Sequence, residues 1–186
     1  NNSFFVCVGV GASQGILVKG GEPLEAAQKI RTIVFDKTGT ITQGRPTVVQ
    51  THIFIQNDSY WTLNRLLAIA GTAESGSEHP LGIAIRKHCQ SHFGCEQFGR
   101  CEDFNAVWGY GLSAKVHGVE NIINRNRQSG DFDKTYSVLI GNREWMKRNS
   151  IDVANEVDSA MAKHEHDGHT AVIVAIDGRK QTKNKW

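Results

Sequence analysis

The stretch VFDKTGTIT, residues 34–42, sets one carboxylate, Asp36, between an apolar run and a turn rich in hydroxyls and glycine. A carboxylate at the carboxyl end of a buried parallel strand stands where α/β sheets hold their ligands. The turn that follows, Lys37-Thr38-Gly39-Thr40, offers main-chain amides and hydroxyls to an anion. Such a grouping suits attack on a phosphoryl group: the carboxylate becomes an aspartyl phosphate while Mg2+ and backbone donors neutralise the transferring oxygens. The competing reading is an Asx turn that closes a strand and does no chemistry.

A second candidate is SEHPLG, residues 77–82. His79 precedes Pro80, which fixes a helix start, and its imidazole could stack on an aromatic ring or hydrogen-bond a base edge; a plain helix start is the simpler reading. In GYGLSAK, Gly109 and Gly111 would let backbone approach a nucleotide, although a hairpin turn explains a lone Gly-x-Gly equally well. Two groups invite a metal reading. HEHDGH, residues 164–169, sits where a helix runs out and lacks the HExxH spacing that puts zinc-binding histidines on one face. HCQSHFGC, with His88, Cys89, His92 and Cys95, lacks the closely paired cysteines that structural zinc favours. Neither is expected to hold a metal.

These residues need elements to position them. GGEPLEAAQKI reads as a short helix, with Pro23 and acids in its first turn and Lys29 near its end. It leads into residues 32–35, apolar on both faces as a central parallel strand requires. Residues 47–55, TVVQTHIFI, read as a second strand, and SYWTLNRLLAIAGTAE as a helix capped by Ser59. A helix over 81–92 follows. EDFNAVWGYGLSAKVHG alternates on both sides of its glycines and reads as two strands joined by a turn. The polar stretch from 121 to 134 is taken as a surface loop. YSVLIGN is a strand, REWMKRN a short helix, VANEVDSAMAKHEHDG an amphipathic helix closed by Gly168, and TAVIVAID a last strand. Strands separated by pairs of helices give an α+β architecture.

The whole chain sets bounds on function. Its 186 residues allow one or two domains, and a net charge of +2 with 22% charged residues supplies no basic field for nucleic acid. Cys7, Cys89, Cys95 and Cys101 form no CxxC pair, which suits reduced, unpaired thiols. No run reaches the roughly 18–20 apolar residues that cross a bilayer. The opening NNSFFVCVGVGASQGILVKGG is nonetheless apolar, either a buried strand or the tail of a longer hydrophobic helix.

DKTGT after an apolar strand resembles the phosphorylation motif of P-type ATPases, members of the haloacid-dehalogenase-like superfamily. In phosphatases of that superfamily a second Asp stands two residues after the nucleophile as general acid and base. Thr38 stands there instead, and a threonine is a poor base, so the resemblance implies an acyl phosphate that persists long enough to be coupled to a conformational step. SEHPL resembles the signature of the heavy-metal-transporting branch, where its His orients the adenine of ATP. Together with GTAESGSEHPLG and GNREWMKRN, it makes the chain similar to the animal copper-transporting ATPases of the Menkes and Wilson type. The resemblance implies Asp36 as phosphorylated nucleophile and Thr38 as phosphate and Mg2+ contact, both residues binding Mg2+ only in the complete enzyme. It implies Glu74, His79, Gly109, Gly111, Leu112, Ser113 and Asn142 at ATP, with Ser113 replacing the third glycine of the branch's loop.

The same resemblance implies a fold. Residues 1–20 would be the end of a membrane helix and its cytosolic junction, and 21–45 the first helix and strand of a haloacid-dehalogenase-like phosphorylation domain. Residues 46–178 would be a nucleotide-binding domain with a mainly antiparallel sheet flanked by helix pairs, and 179–186 a non-matching, disordered tail. ATP and Mg2+ are the expected cofactors, copper the transported ion with its site elsewhere. The actuator, membrane and metal-binding domains of a full-length pump are the expected partners, in a Golgi or plasma membrane, the piece itself being soluble. The family's Cys-Pro-Cys, Thr-Gly-Asp and Gly-Asp-Gly-x-Asn-Asp motifs do not occur in the 186 residues. A fragment that binds ATP weakly without completing a pump cycle is therefore expected. A zinc- or cadmium-transporting relative, a stand-alone nucleotide-binding module and, less compatible with Thr38, a soluble phosphatase are the alternatives.

Overall fold

The computed structural model describes residues 2–55, 58–123 and 134–177. The chain divides into two compact units, Asn1–Gly44 and Arg45–Trp186.

The second unit is built on a four-stranded antiparallel sheet in the order β1-β2-β3-β4, with β1 Arg100–Val107, β2 Gly111–His117, β3 Tyr136–Gly141 and β4 Ile173–Ile176. The period-2 pattern of β2 and β3 sends Leu112, Ala114 and Val116, with Tyr136, Val138 and Ile140, to one face. On that face they meet α3, Leu63–Ala73, whose Ala68, Ile69 and Ala73 are fully covered. Small alanines let the helix lie close to the sheet. Next to it packs α4, Pro80–Phe93, ended by Gly94 in the left-handed conformation. After the sheet's third strand comes α6, Arg143–Arg148, and then α7, Asn155–His166, tied to α6 by Arg143, which bridges Asp158 and Glu165. The α+β architecture is as the sequence pattern implies, and the antiparallel sheet as the family resemblance implies.

A polar clasp joins distant parts of this unit. On α5, Glu120–Ile123, Glu120 takes a bidentate ion pair from Arg65 of α3 at 2.9–3.2 Å and a hydrogen bond from the Tyr136 hydroxyl at 3.1 Å. The Tyr136 hydroxyl lies 2.6 Å from that of Tyr60, which in turn accepts from Lys134 Nζ at 2.7 Å. Burial, helped by the Tyr60 contact, pushes the Tyr136 phenol well above its ordinary range, so it stays a proton donor.

Several local expectations are corrected. Residues 47–55 form no strand: they are β-branched but mostly exposed and pair with nothing in the ladder. The cap of α3 is Thr62, whose Oγ1 accepts from Arg65 N at 3.3 Å, rather than Ser59. An Asx turn from Asp58 Oδ1 to Tyr60 N at 2.9 Å takes the residues around Ser59 out of the helix. The stretch from 121 begins inside α5 rather than as loop. Most of that expected loop, and the expected tail, lie outside the described residues.

In the first unit, α1 spans Asn2–Ser13 and α2 Gly21–Ala27. The opening segment is thus helical, and among the described residues no helix is long and apolar enough to cross a membrane. Pro23 is the third residue of α2, not the first, a place where a missing N–H still costs no helical bond. Residues 32–35 are not a buried strand: among the described residues no strand pairs with them to complete a ladder, and Val34 is 89% exposed. An apolar run favours a strand only where a second strand receives its N–H and C=O groups.

Candidate functional site

The end of α3 and the start of α4 enclose a buried polar spot in the second unit. Glu74 opens a single 3-10 turn, Glu74–Gly76, directly after α3 and is only 4% exposed. Ser77 hydrogen-bonds its carboxyl group, yet Oε2 is buried without a partner. Burial raises the Glu74 pKa above the usual carboxylate range, the Ser77 bond opposing it more weakly. The carboxylate fits here because α4 has Gly82 in its first turn. A Cβ on Gly82 would collide with Glu74 Oε2 and Ser77 Oγ. That oxygen retains the capacity to accept a hydrogen bond.

His79 stands at the N-cap of α4 in extended conformation, and its Nδ1 accepts from Leu81 N at 3.2 Å. Pro80 at the first helical position follows from its fixed φ and missing N–H. With Nδ1 occupied as acceptor, the neutral ring carries its proton on Nε2. The ring is exposed, so its faces and that N–H are available to a ligand. The helix-start reading and the ligand reading are therefore compatible: one nitrogen caps, the rest of the ring is free to stack.

A second group gathers at the β1–β2 turn. Gly109 has φ +77, a left-handed position where a glycine costs least. Gly111 answers a packing need: a Cβ there would collide with the Ile140 carbonyl and reach 2.7 Å from Trp145 Cδ1. Gly111 pairs with Gly141, and Trp145 lies against both, on the sheet face opposite Leu112. The Trp145 indole donates to the Leu112 carbonyl at 2.9 Å. Asn142 uses both ends of its side chain. Its Oδ1 caps α6 by accepting from Trp145 N, and its Nδ2 donates to the Gly109 carbonyl, each at 2.9 Å. It thereby pins the turn. The Leu112 side chain is in the core, Ser113 is half-buried, and Trp108 beside Gly109 is 94% exposed.

Asp36 and Thr38 lie in the other unit. The turn after Asp36 is closed by Thr42, whose N–H and hydroxyl bond the Lys37 carbonyl at 3.0 and 3.2 Å, with Gly39 at φ +80. Asp36 precedes it in extended conformation and makes no side-chain cap bond. The Asx-turn reading is thus not realised, and the carboxylate is uncommitted to the turn.

The sequence reading did not assign Ser77, Gly82 or Trp145 a part in these sites. Gly82 carried a local signal, being a glycine in a helix's first turn where no bend is needed. Trp145 carried none, because the Gly111 it packs on and the Leu112 carbonyl it donates to are distant in the chain.

The pattern of the haloacid dehalogenase-like hydrolases matches residues 30–185. The chain belongs to that family. Within this haloacid dehalogenase-like chain, 46% of aligned residues are identical to copper-transporting ATPase 2 of Mus musculus, over 93% of the chain but 13% of the relative. Copper-transporting ATPase 1 of Mus musculus is 42% identical over 92% of the chain and 14% of its own length. The crystal structure of a zinc-transporting PIB-type ATPase in the E2.Pi state superposes with a TM-score of 0.60 at 26% identity, over 94% of this chain and 24% of that one. The resemblance read from DKTGT and SEHPL to heavy-metal P-type ATPases is borne out by these relatives. The chain spans 13% of the length of the mouse ATPase 2.

Proposed function

We propose that this chain is the ATP-binding part, with the first stretch of the phosphorylated segment, of a copper-transporting P-type ATPase. The observation that carries the reading is the buried, unpartnered Oε2 of Glu74 beside the helix capped by His79. A purine amino group would satisfy that oxygen, and the purine ring would stack on the exposed imidazole. The turn at Gly109 and Gly111 would bring main chain to the rest of the nucleotide, with Ser113 behind it. Asn142 would act by holding the Gly109 carbonyl in place, and Leu112 by anchoring the strand in the core.

In the whole pump a carboxylate oxygen of Asp36 would attack the γ-phosphorus of ATP as the bond to ADP breaks, giving an acyl phosphate and free ADP. Mg2+ takes oxygen ligands, and the uncommitted Asp36 carboxylate together with Thr38 would contribute to holding it, where it supplies charge neutralisation to the phosphoryl oxygens. Thr38 in place of a second acid would leave the intermediate slow to hydrolyse. Copper export would follow in the full-length protein through its actuator, membrane and metal-binding domains, in a Golgi or plasma membrane. Copper is favoured over zinc because the copper-transporting relative is 46% identical and the zinc-transporting structure 26%.

Calorimetric titration of the chain with ATP, set against His79→Gln, tests the binding: heat is expected from the first and a large loss of affinity in the second. Equal affinity in both would refute it. The chain alone is expected to bind ATP without turnover, so labelled ATP and Mg2+ should leave no acid-stable, hydroxylamine-sensitive phosphoprotein.

A further inference from the structure

The loop between β1 and β2, whose main chain the proposed ATP site uses, is gripped from outside by one short helix. Tyr110 N donates to the Val107 carbonyl at 3.1 Å, and Gly109 stands third in that turn with φ +77, as a type II turn requires. Val107 pairs with Gly111, so the hairpin loop is 108–110 with its left-handed residue in the middle. A three-residue hairpin loop ordinarily places that residue last. This loop departs from the usual form, so its shape depends on the contacts that hold it.

Those contacts come from both ends of α6. At its N-cap, Asn142 donates to the Gly109 carbonyl through Nδ2 at 2.9 Å and to the Tyr110 carbonyl through its backbone N–H at 3.0 Å. At its last residue, the Arg148 guanidinium lies over the Tyr110 ring with Cζ 3.7 Å from the centroid, and Nη2 donates to the Tyr110 hydroxyl at 2.7 Å. Glu144, four residues back on the same helix, accepts from Arg148 Nε at 3.3 Å and so aims the guanidinium. A cation over an aromatic face is attracted by the ring's quadrupole, and the rigid guanidinium loses little freedom in making the contact. Trp108 in the same loop is 94% exposed, whereas Tyr110 is half-buried. Aromatic character alone therefore does not bring a side chain of this loop down onto the protein; the arginine does.

We propose that Arg148 is a positioning residue for the nucleotide: through Tyr110 it keeps the 108–110 loop in the shape that presents its main chain to ATP. The proposal rests on the reading of that loop as part of the ATP site. A ligand that binds one shape of a loop has its affinity reduced by the fraction of molecules out of that shape. Arg148 raises the competent fraction without touching ATP, and Tyr110 is the part it acts on. An exposed cation–π contact with its hydrogen bond shifts such an equilibrium by about three- to tenfold.

The test makes two measurements on the full chain. Hydrogen exchange without nucleotide reads the Tyr110 and Asn142 amides, whose bonds form only while the loop is in shape, and calorimetry reads ATP binding. Arg148→Ala and Tyr110→Ala should each speed exchange at those amides by about three- to tenfold and weaken ATP binding by up to the same factor. Tyr110→Phe keeps a ring beneath the guanidinium and should recover most of both. Adding Arg148→Ala to Tyr110→Ala should cost nothing further, because the arginine acts through the ring. Unchanged exchange in Arg148→Ala would overturn the proposal. Faster exchange with full ATP affinity would overturn it too, since the contact would then serve the fold alone. A further loss of ATP affinity in the double variant would show that the guanidinium meets the nucleotide directly, and would also overturn it. A wild type that takes up no ATP would instead defeat the reading of the site, and exchange would still decide whether Arg148 holds the loop.

Discussion

His79 has two separable jobs, and substituting it two ways tells them apart. Its Nδ1 accepts from Leu81 N at 3.2 Å at the head of α4, while the ring itself is exposed. Replacing it by Ala removes the cap, at a cost of about 1 kcal/mol. In a domain of this size that is a fall of about 3–5 °C in the thermal midpoint. Asn ranks among the best N-caps, so His79→Asn should hold the midpoint within about 1–2 °C of wild type. It has no aromatic face, however. Stacking of a base on an aromatic side chain contributes about 1–3 kcal/mol, so both variants should lose about 5- to 150-fold in ATP affinity. Differential scanning calorimetry gives the first quantity and ATP titration the second. An Asn variant that binds ATP like wild type would refute the stacking role. A variant as unstable as the Ala form would refute the capping argument.

Glu74→Gln should show its effect through pH. Burial raises the Glu74 pKa, so the folded chain holds that proton to higher pH than the unfolded chain does. Its contribution is complete at acid pH and is lost as pH climbs from the ordinary glutamate range through the raised value. The midpoint of Glu74→Gln should therefore gain on wild type across that window, as measured by thermal melts at stepped pH; a parallel pair of curves would contradict it. Gly111→Ala should destabilise by about 1–3 kcal/mol through collision with the Ile140 carbonyl, measured by urea titration. Gly109→Ala meets open space and should cost only the left-handed backbone penalty of about 1–2 kcal/mol, with packing unchanged. Burial pushes the Cys89 thiol up to about 12, so iodoacetamide at pH 8 should label exposed Cys7 and spare Cys89 in peptide mass maps until the chain is unfolded.

What could be read in advance depended on how local its cause was. The alternation of residues 111–117 reflects one face buried against α3, and it marks both the strand and its partner β3. Pro80 marks the start of α4 because its geometry suits nothing else there. Residues 32–35 and 47–55 misled because β-branched content reports suitability for a ladder, whereas a strand exists only when another strand answers its backbone. Ser59 misled as the cap because Asp58 folds the residues after it into an Asx turn and leaves Thr62 at the head of the helix. Asp36 and His79 could be singled out from their neighbours in the chain, and Glu74 only through the resemblance. The reason Glu74 is buried with an idle oxygen required the fold. So did the approach of Arg148 to Tyr110, 38 residues away in the chain.

Lys134 and Glu120, on either side of residues 124–133, are both moored to the Tyr60–Tyr136 pair. One pair of phenols therefore holds two segments that the chain itself joins only by a detour, and losing either hydroxyl would loosen α5 and the entry to β3 together.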